Sequence, residues 1–305
     1  MEPPATIASE YRASPIAIWS ALSVVYLVWG STYLAIRFAV ETTPPFLMAA
    51  ARFIVSGGCL FVWRWAVGDA MPNFMEWRNA AIIGIFLLVG GNGGVVWAAQ
   101  FIPSSLSALL VATVPLWMVL IDTLRPGGGA PGFKSTVGIF IGFCGATLLI
   151  GWSAGSGTAM TLLGAAAVVL ASILWAIGSL YGRSAPLPSS PLLATGMEML
   201  SGGAAQILIA LALGEWNSFN PSVVSERSAL ALVYLTVIGS CAFVAYAWLL
   251  RVAPTPLVAT YAYVNPLVAV LLGYFLADEP MSGRTLFAAG LIIGSVVLVS
   301  GAKRN

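Results

Sequence analysis

The 305-residue chain contains no histidine. That removes the commonest general base, metal ligand and proton shuttle together. Charge is scarce as well. Thirteen basic and 11 acidic residues make up 8 % of the chain, against roughly 25 % in a soluble domain. So few charges cannot cover the surface of a water-soluble protein of this size. A soluble enzyme, a nucleic-acid binder and a disordered chain are excluded on that ground. The net charge of +2, without a polybasic tail, points to no nucleic acid or acidic partner. Cysteine is limited to Cys59, Cys144 and Cys241, all inside apolar runs. An odd count at such positions argues against a disulfide framework. A cleavable signal is not expected either. Residues 1 to 15 carry Glu2, Glu10 and Arg12, so a positive n-region is missing and the first apolar run reads as a membrane span.

What is present is apolar. Hydrophobic residues are 59 % of the chain, and the mean hydropathy is +0.95. A span needs about 20 mainly apolar residues. Hydropathy places ten, at roughly 16–37, 44–66, 79–100, 104–124, 133–152, 160–182, 191–213, 228–250, 255–277 and 284–301. The runs are continuous and too long for the period-two strands of a membrane barrel. Backbone groups in lipid must bond internally, so the runs are expected to be helices. The chain is expected to be an all-α polytopic membrane protein.

Lys and Arg in short loops set orientation. With the N-terminus inside, the cytoplasmic side holds Arg12, Arg64, Arg78, Arg125, Lys134, Arg183, Arg251, Lys303 and Arg304. The outer side holds Arg37, Arg227 and Arg284. Both termini are therefore expected to be cytoplasmic.

The two halves resemble each other. A shift of 146 pairs Trp29 with Trp175, Pro45 with Pro191 and Gly57 with Gly203. A shift of 151 pairs Trp97 with Trp248, Pro103 with Pro254 and Pro115 with Pro266. A shift of 152 pairs Gly138 and Gly142 with Gly290 and Gly294. Five spans per half is an odd number, so the second half should be inverted relative to the first. The expected domains are a tail over 1–15, a first five-helix repeat over 16–152, a linker over 153–159, a second repeat over 160–301 and a tail over 302–305. Inverted repeats of this kind mark transporters, with the solute path at their interface.

Trp29-Gly30-Ser31-Thr32-Tyr33, Asn265-Pro266 after Tyr261-Ala262-Tyr263, and Asp278-Glu279-Pro280 are similar to EamA-type members of the drug/metabolite transporter superfamily. The resemblance covers about 16 to 301. It implies ten helices, a 5+5 inverted repeat, cytoplasmic termini and a bacterial inner membrane. It also implies, among characterised members, export of amino acids and related metabolites.

Two ionisable residues lie deep. Arg52 and Glu198 each stand seven residues past a proline that opens a span, Pro45 and Pro191. At about 1.5 Å per residue that is roughly 10 Å below the boundary. Inversion sets Arg52 toward the outside and Glu198 toward the cytoplasm, so a direct bridge is not expected. Each costs on the order of 2.5–3.5 kcal/mol at membrane depth and should face protein or solute, not lipid. Arg52 could attract a substrate carboxylate, and Glu198 an ammonium or a proton. Alternatively, each holds helices together. Without Glu198 as proton carrier, facilitated diffusion is the simplest mechanism. Asp122, near the end of span 4, is expected to snorkel toward water.

Aromatic walls with a few amides suit an uncharged or zwitterionic organic solute. The candidates for solute contact are Trp29, Tyr33, Asn92, Trp97, Trp175, Tyr246, Tyr263 and Asn265. Gly90-Gly91-Asn92-Gly93-Gly94 weakens its helix; the glycines are expected to serve packing and Asn92 to line the path. Pro115 and Pro266 could be hinges or static kinks. Gly138, Gly142, Gly145, Gly290 and Gly294 follow the small-residue helix-pairing pattern, so spans 5 and 10 are expected to be scaffold or dimer surface.

These features point to a secondary transporter that exports small amphipathic metabolites by alternating access through a central cavity. Aromatic and other neutral amino acids come first. A multidrug or cationic-compound exporter of the same superfamily is the alternative, because Glu198 is a deep acid. A membrane-embedded enzyme would need a nucleophile, base or metal set that no cluster supplies, and a channel would want rings of carbonyls or charges. No cofactor or metal is expected. The partners are a small solute and the bilayer, with the protein a monomer or weak homodimer.

Overall fold

Residues 14–125, 131–154, 159–253, 255–258 and 260–300 are described in the structure, a computed structural model. The expected tails, but for residues 14 and 15, and most of the expected linker lie outside them. The described residues form helices and turns, without a strand. Local chemistry sets where helices begin. Ser14 accepts from the Ala17 N–H at 3.2 Å and Pro15 opens α1, Pro15–Ala39. Pro45 opens α2, Pro45–Ala66. Asn73 and Glu76 cap α3, Phe74–Gly84, reciprocally at 3.0 and 2.7 Å.

The third span then changes pitch. Ile85–Asn92 is a π-helical segment, continued by α4, Gly93–Ala98. The fourth span is two helices, α5, Ser104–Val111, and α6, Val114–Leu124. At the joint, the Thr113 N–H and hydroxyl both bond the Leu110 carbonyl, at 3.1 and 2.6 Å. Then follow α7, Phe133–Ala154, α8, Ala159–Gly182, and α9, Pro191–Ala212. The remaining helices are α10, Glu215–Ser218, α11, Glu226–Val252, α12, Thr255–Val258, α13, Tyr261–Ala277, and α14, Gly283–Ser300.

Among the described residues, eight helices or joined helices are long and apolar enough to cross a membrane. Two shorter apolar helices, Tyr261–Ala277 and Gly283–Val299, follow them. The ninth expected run starts at 255, yet the continuous helix starts only at Tyr261. The matched prolines also behave differently. Pro115 sits in the first turn of α6, after the joint, whereas Pro266 lies inside α13.

Packing is pairwise. The most extensive contacts are α2 with α9, α7 with α14, and α1 with α11 and α13. The π segment, α4, α5 and α6 all pack on α8. Glycines set the closest crossings. On α7, Gly138, Gly142 and Gly145 face Val299, Ser295 and Leu291 of α14. Gly290 and Gly294 take no part in that crossing, because nothing stands within 4 Å of a Cβ placed on either. The α14 side of that contact is built from larger residues, so the small-residue pattern works on one helix only.

Candidate solute-binding site

The aromatic residues separate into groups. Trp29 of α1 is the centre of the largest. Its ring lies 5.0 Å from Phe243, 5.0 Å from Tyr246 and 5.3 Å from Tyr261, in tilted and edge-on arrangements. Tyr246 and Tyr261 are 5.6 Å apart. Tyr26 bonds Thr260 through their hydroxyls. The Asn265 amide, turned as its neighbours require, donates to the Tyr261 carbonyl at 3.1 Å and the Tyr26 carbonyl at 3.3 Å. Asn265 thus ties α13 to α1. Gly30 allows this approach, since a Cβ there would stand 2.6 Å from that of Val268. Within this wall the Trp29 indole N–H is buried and has no hydrogen-bond partner among the described residues.

Trp175, matched to Trp29 in sequence, meets a different surface. It covers Gly91, where a Cβ would lie 2.7 Å from the indole ring. Gly90 faces Leu174, and Gly94 faces Ala171. The glycines of this motif serve packing, as expected. Asn92 beside them keeps a buried side-chain oxygen without a partner. The π-helical turn frees backbone carbonyls from their usual bonds. Gln206 of α9, fully buried, donates to the Leu88 carbonyl at 2.8 Å, which also accepts from the Gly93 N–H.

Three further candidates lie elsewhere. Trp97 meets Phe101 edge-on at 4.9 Å and, like Tyr33, packs against the main apolar core. Tyr263 packs with Leu116, Val296 and Val299 of α6 and α14, apart from Trp29. The structure therefore gathers Trp29, Tyr246 and Asn265 around one wall and Asn92 and Trp175 around another.

Arg52 is 5 % exposed. Its guanidinium reaches the seam of α1 and α11, with Nη2 3.6 Å from the position of a Cβ on Gly239. Glu198 lies on the α9 face that meets α3, where its backbone carbonyl crowds Gly84. The two are not paired with each other. The α2–α9 register explains this. Gly57 sits against Met199 and Gly196, and Ile54 against Gly203. The helices run antiparallel, so Arg52 and Glu198 are offset by about six residues, or about 9 Å.

Sequence reasoning missed two acids at the end where α1 finishes and α2 begins. Asp278 adopts a left-handed conformation, φ 51°, and turns the chain back. The Glu279 N–H bonds the Gly273 carbonyl at 3.0 Å. Bare Gly273 leaves room for the Glu279 carboxylate. That carboxylate accepts from the Ser104 N–H and hydroxyl at 2.7 and 2.8 Å, and from those of Ser105 at 3.0 and 2.5 Å. It also pairs with Arg37. Burial pushes this carboxyl up, but the bonds from Ser105 and Ser104 outweigh it and hold it below its ordinary value. Glu215 similarly accepts from the Phe46 and Leu47 N–H groups at the start of α2, at 3.3 and 2.8 Å. The signal for Glu279 was an acid just past a span together with Pro-Ser-Ser opening another. Asp122 corrects a further expectation. It is 5 % exposed and bonds Arg125 at 2.8 Å rather than reaching for water, because a cation one turn on is nearer.

A model of the EamA-like transporter family matches residues 15–151 and again 162–301. The chain belongs to that family. An uncharacterized inner membrane transporter, YedA of Escherichia coli, is 38 % identical over 294 residues, 94 % of this chain and 92 % of the relative. An uncharacterized transporter of Archaeoglobus fulgidus is 24 % identical, over 93 % of this chain and 97 % of its own. A crystal structure of a protein 22 % identical in sequence shares the fold, with a TM-score of 0.62 over 94 % of this chain and 98 % of the other. This EamA-family chain is thus a multi-pass membrane protein, and its place among transporters, rather than enzymes, rests on these relatives.

Proposed function

We propose that the chain is a secondary carrier of the bacterial inner membrane, with both termini cytoplasmic. It exports small amphipathic metabolites, neutral and aromatic amino acids first, by alternating access between two inverted repeats. Each repeat holds five of ten spans, over 16–152 and 160–301. One observation carries this reading. The helix pairing maps onto itself when each span is replaced by the one five further along. Span 1 packs on spans 8 and 9 as span 6 packs on spans 3 and 4, while spans 2 and 7, and spans 5 and 10, pair with each other. Such exchange is what a pseudo-two-fold axis between repeats requires. The partnerless Trp29 N–H and Asn92 oxygen give the path two polar contacts among aromatic walls.

The test is uptake of labelled amino acids into liposomes holding the purified protein. Saturable uptake is expected, faster with a pH gradient, and the gradient dependence is expected to vanish in Glu198→Gln. Uptake indifferent to the gradient in the unmodified protein would make the carrier facilitative and Glu198 structural. Trp29→Ala is expected to lower uptake at least tenfold, with the protein still monodisperse. Glu198 makes no hydrogen bond or ion pair among the described residues, which favours a second reading as an exporter of cationic compounds. Transport of a lipophilic cation, with none of any amino acid, would put that reading first.

A further inference from the structure

We propose that Arg52 is the station that binds the carboxylate of the transported solute. The proposal rests on the carrier reading above and deepens it. Arg52 is 95 % removed from solvent contact by the 5 % exposure of its surface, and it makes no hydrogen bond or ion pair among the described residues. A guanidinium carries five N–H donors in a planar fork. A charged side chain at membrane depth that pairs with no protein group marks function by default.

The neighbouring hydroxyls spend their protons elsewhere. Ser56, one turn along α2, donates to the Thr236 carbonyl at 2.9 Å. Ser240 donates to Ser56 at 2.7 Å. Thr32 of α1 donates to the Trp29 carbonyl at 2.6 Å. These hydroxyls therefore have no proton to offer an anion, and no carboxylate pairs with Arg52 among the described residues. Between them Gly239 presents bare backbone beside the Arg52 Nη2, with Thr32 Cγ2 4.0 Å away on the other side. Among the described residues its one partner is the Phe53 ring, 4.8 Å from the guanidinium carbon. The free donors at this seam of α1, α2 and α11 are those of Arg52. A planar two-oxygen acceptor fits that fork better than a point anion does.

Arg52 reads the carboxylate of the solute, so a solute that lacks an ammonium should still bind.

The test uses the purified full chain and a ligand-induced shift in thermal unfolding. The probes are phenylalanine, 3-phenylpropionate and the uncharged 3-phenylpropionamide. The expected result is binding of both carboxylates at least tenfold tighter than the amide. In Arg52→Gln that preference is expected to collapse to less than twofold, with Arg52→Lys between. A merely structural arginine would lower the melting temperature without changing the ratio. If Arg52→Gln does not fold, Gly239→Leu serves, since it keeps Arg52 but fills the space beside it; it is expected to lose carboxylate binding at least tenfold. An unchanged ratio in the folded variant, or no carboxylate preference in the unmodified protein, overturns the proposal. Binding of 3-phenylpropionate without uptake of any amino acid would leave the station standing and remove the amino-acid reading. Amino-acid uptake with an unchanged ratio in Arg52→Gln would do the reverse.

Discussion

Glu279→Ala is expected to lower stability by about 3–5 kcal/mol, the usual range for removing one partner of a buried charge pair. The carboxylate is 4 % exposed and gathers donors from α1 and α5 while standing at the end of α13. Alanine would leave the Arg37 guanidinium, half-buried, without its anion and two N–H groups of the α5 first turn without acceptors. The positive end of that helix would also lose its compensating charge. Glu279→Gln keeps one acceptor oxygen and should fall between. The pH dependence has a definite sign. A carboxyl held below its ordinary value in the folded state contributes stability above that value and loses it as pH falls further. The unmodified protein should therefore lose more stability than Glu279→Gln when pH drops from about 5 toward 3. Thermal unfolding in detergent at both pH values decides this. A variant within 0.5 kcal/mol of the unmodified protein, on the scale of about 0–1 kcal/mol seen for surface pairs, would show the cluster to be superficial.

The second large effect concerns the α2–α9 and α3–α9 crossings. A Cβ on Gly57 would stand 2.7 Å from the Met199 Cβ and 2.9 Å from the Gly196 carbonyl oxygen. One on Gly84 would stand 2.5 Å from the Glu198 carbonyl oxygen. These obstacles are backbone, or atoms fixed to it, so the helices themselves must separate. Gly57→Ala and Gly84→Ala should each cost about 1–3 kcal/mol or more, in the range for overpacking. Gly290→Ala and Gly294→Ala are the controls. Both positions face open space, and a helical alanine is favoured over glycine by roughly 0.8–1 kcal/mol. They should be neutral or stabilising. Equal loss in all four variants would mean that helix packing is not what the glycines serve.

The spans were legible because lipid forces long apolar runs, and such runs survive in any context. Eight of them stand as continuous or joined helices of membrane length. The separation of Arg52 from Glu198 was legible too, since helical rise converts position into depth. Long-range polar geometry was not. Glu279 meets Ser104 across 175 positions; the sequence offers an acid just past one span and Pro-Ser-Ser opening another, but nothing that says the two meet. The glycine motif of the third span showed weakness but not its form, because π pitch is settled by the contact with α8 and by Gln206 at the Leu88 carbonyl. Matched prolines suggested matched kinks; Pro115 opens a helix and Pro266 interrupts none. Tyr263 and Trp29 seemed alike as mid-span aromatics. Helix rotation sends Tyr263 toward α14 and Tyr261 toward Trp29.

The Glu279 cluster has a kinetic corollary. Under the 151-residue shift that relates the later spans of the two repeats, Glu279 corresponds to Gly128. Glycine has no side-chain oxygen, so the first repeat cannot return a carboxylate of its own from that position. For a carrier that cycles between two mirror-related ends, this weights the end states unequally and favours the one closed at the Glu279 side. Half-saturation concentrations measured from the two faces of one liposome should then differ, while detailed balance keeps the ratio of maximal rate to half-saturation equal in both directions. Such rectification would arise from a single unmatched side chain rather than from any energy source.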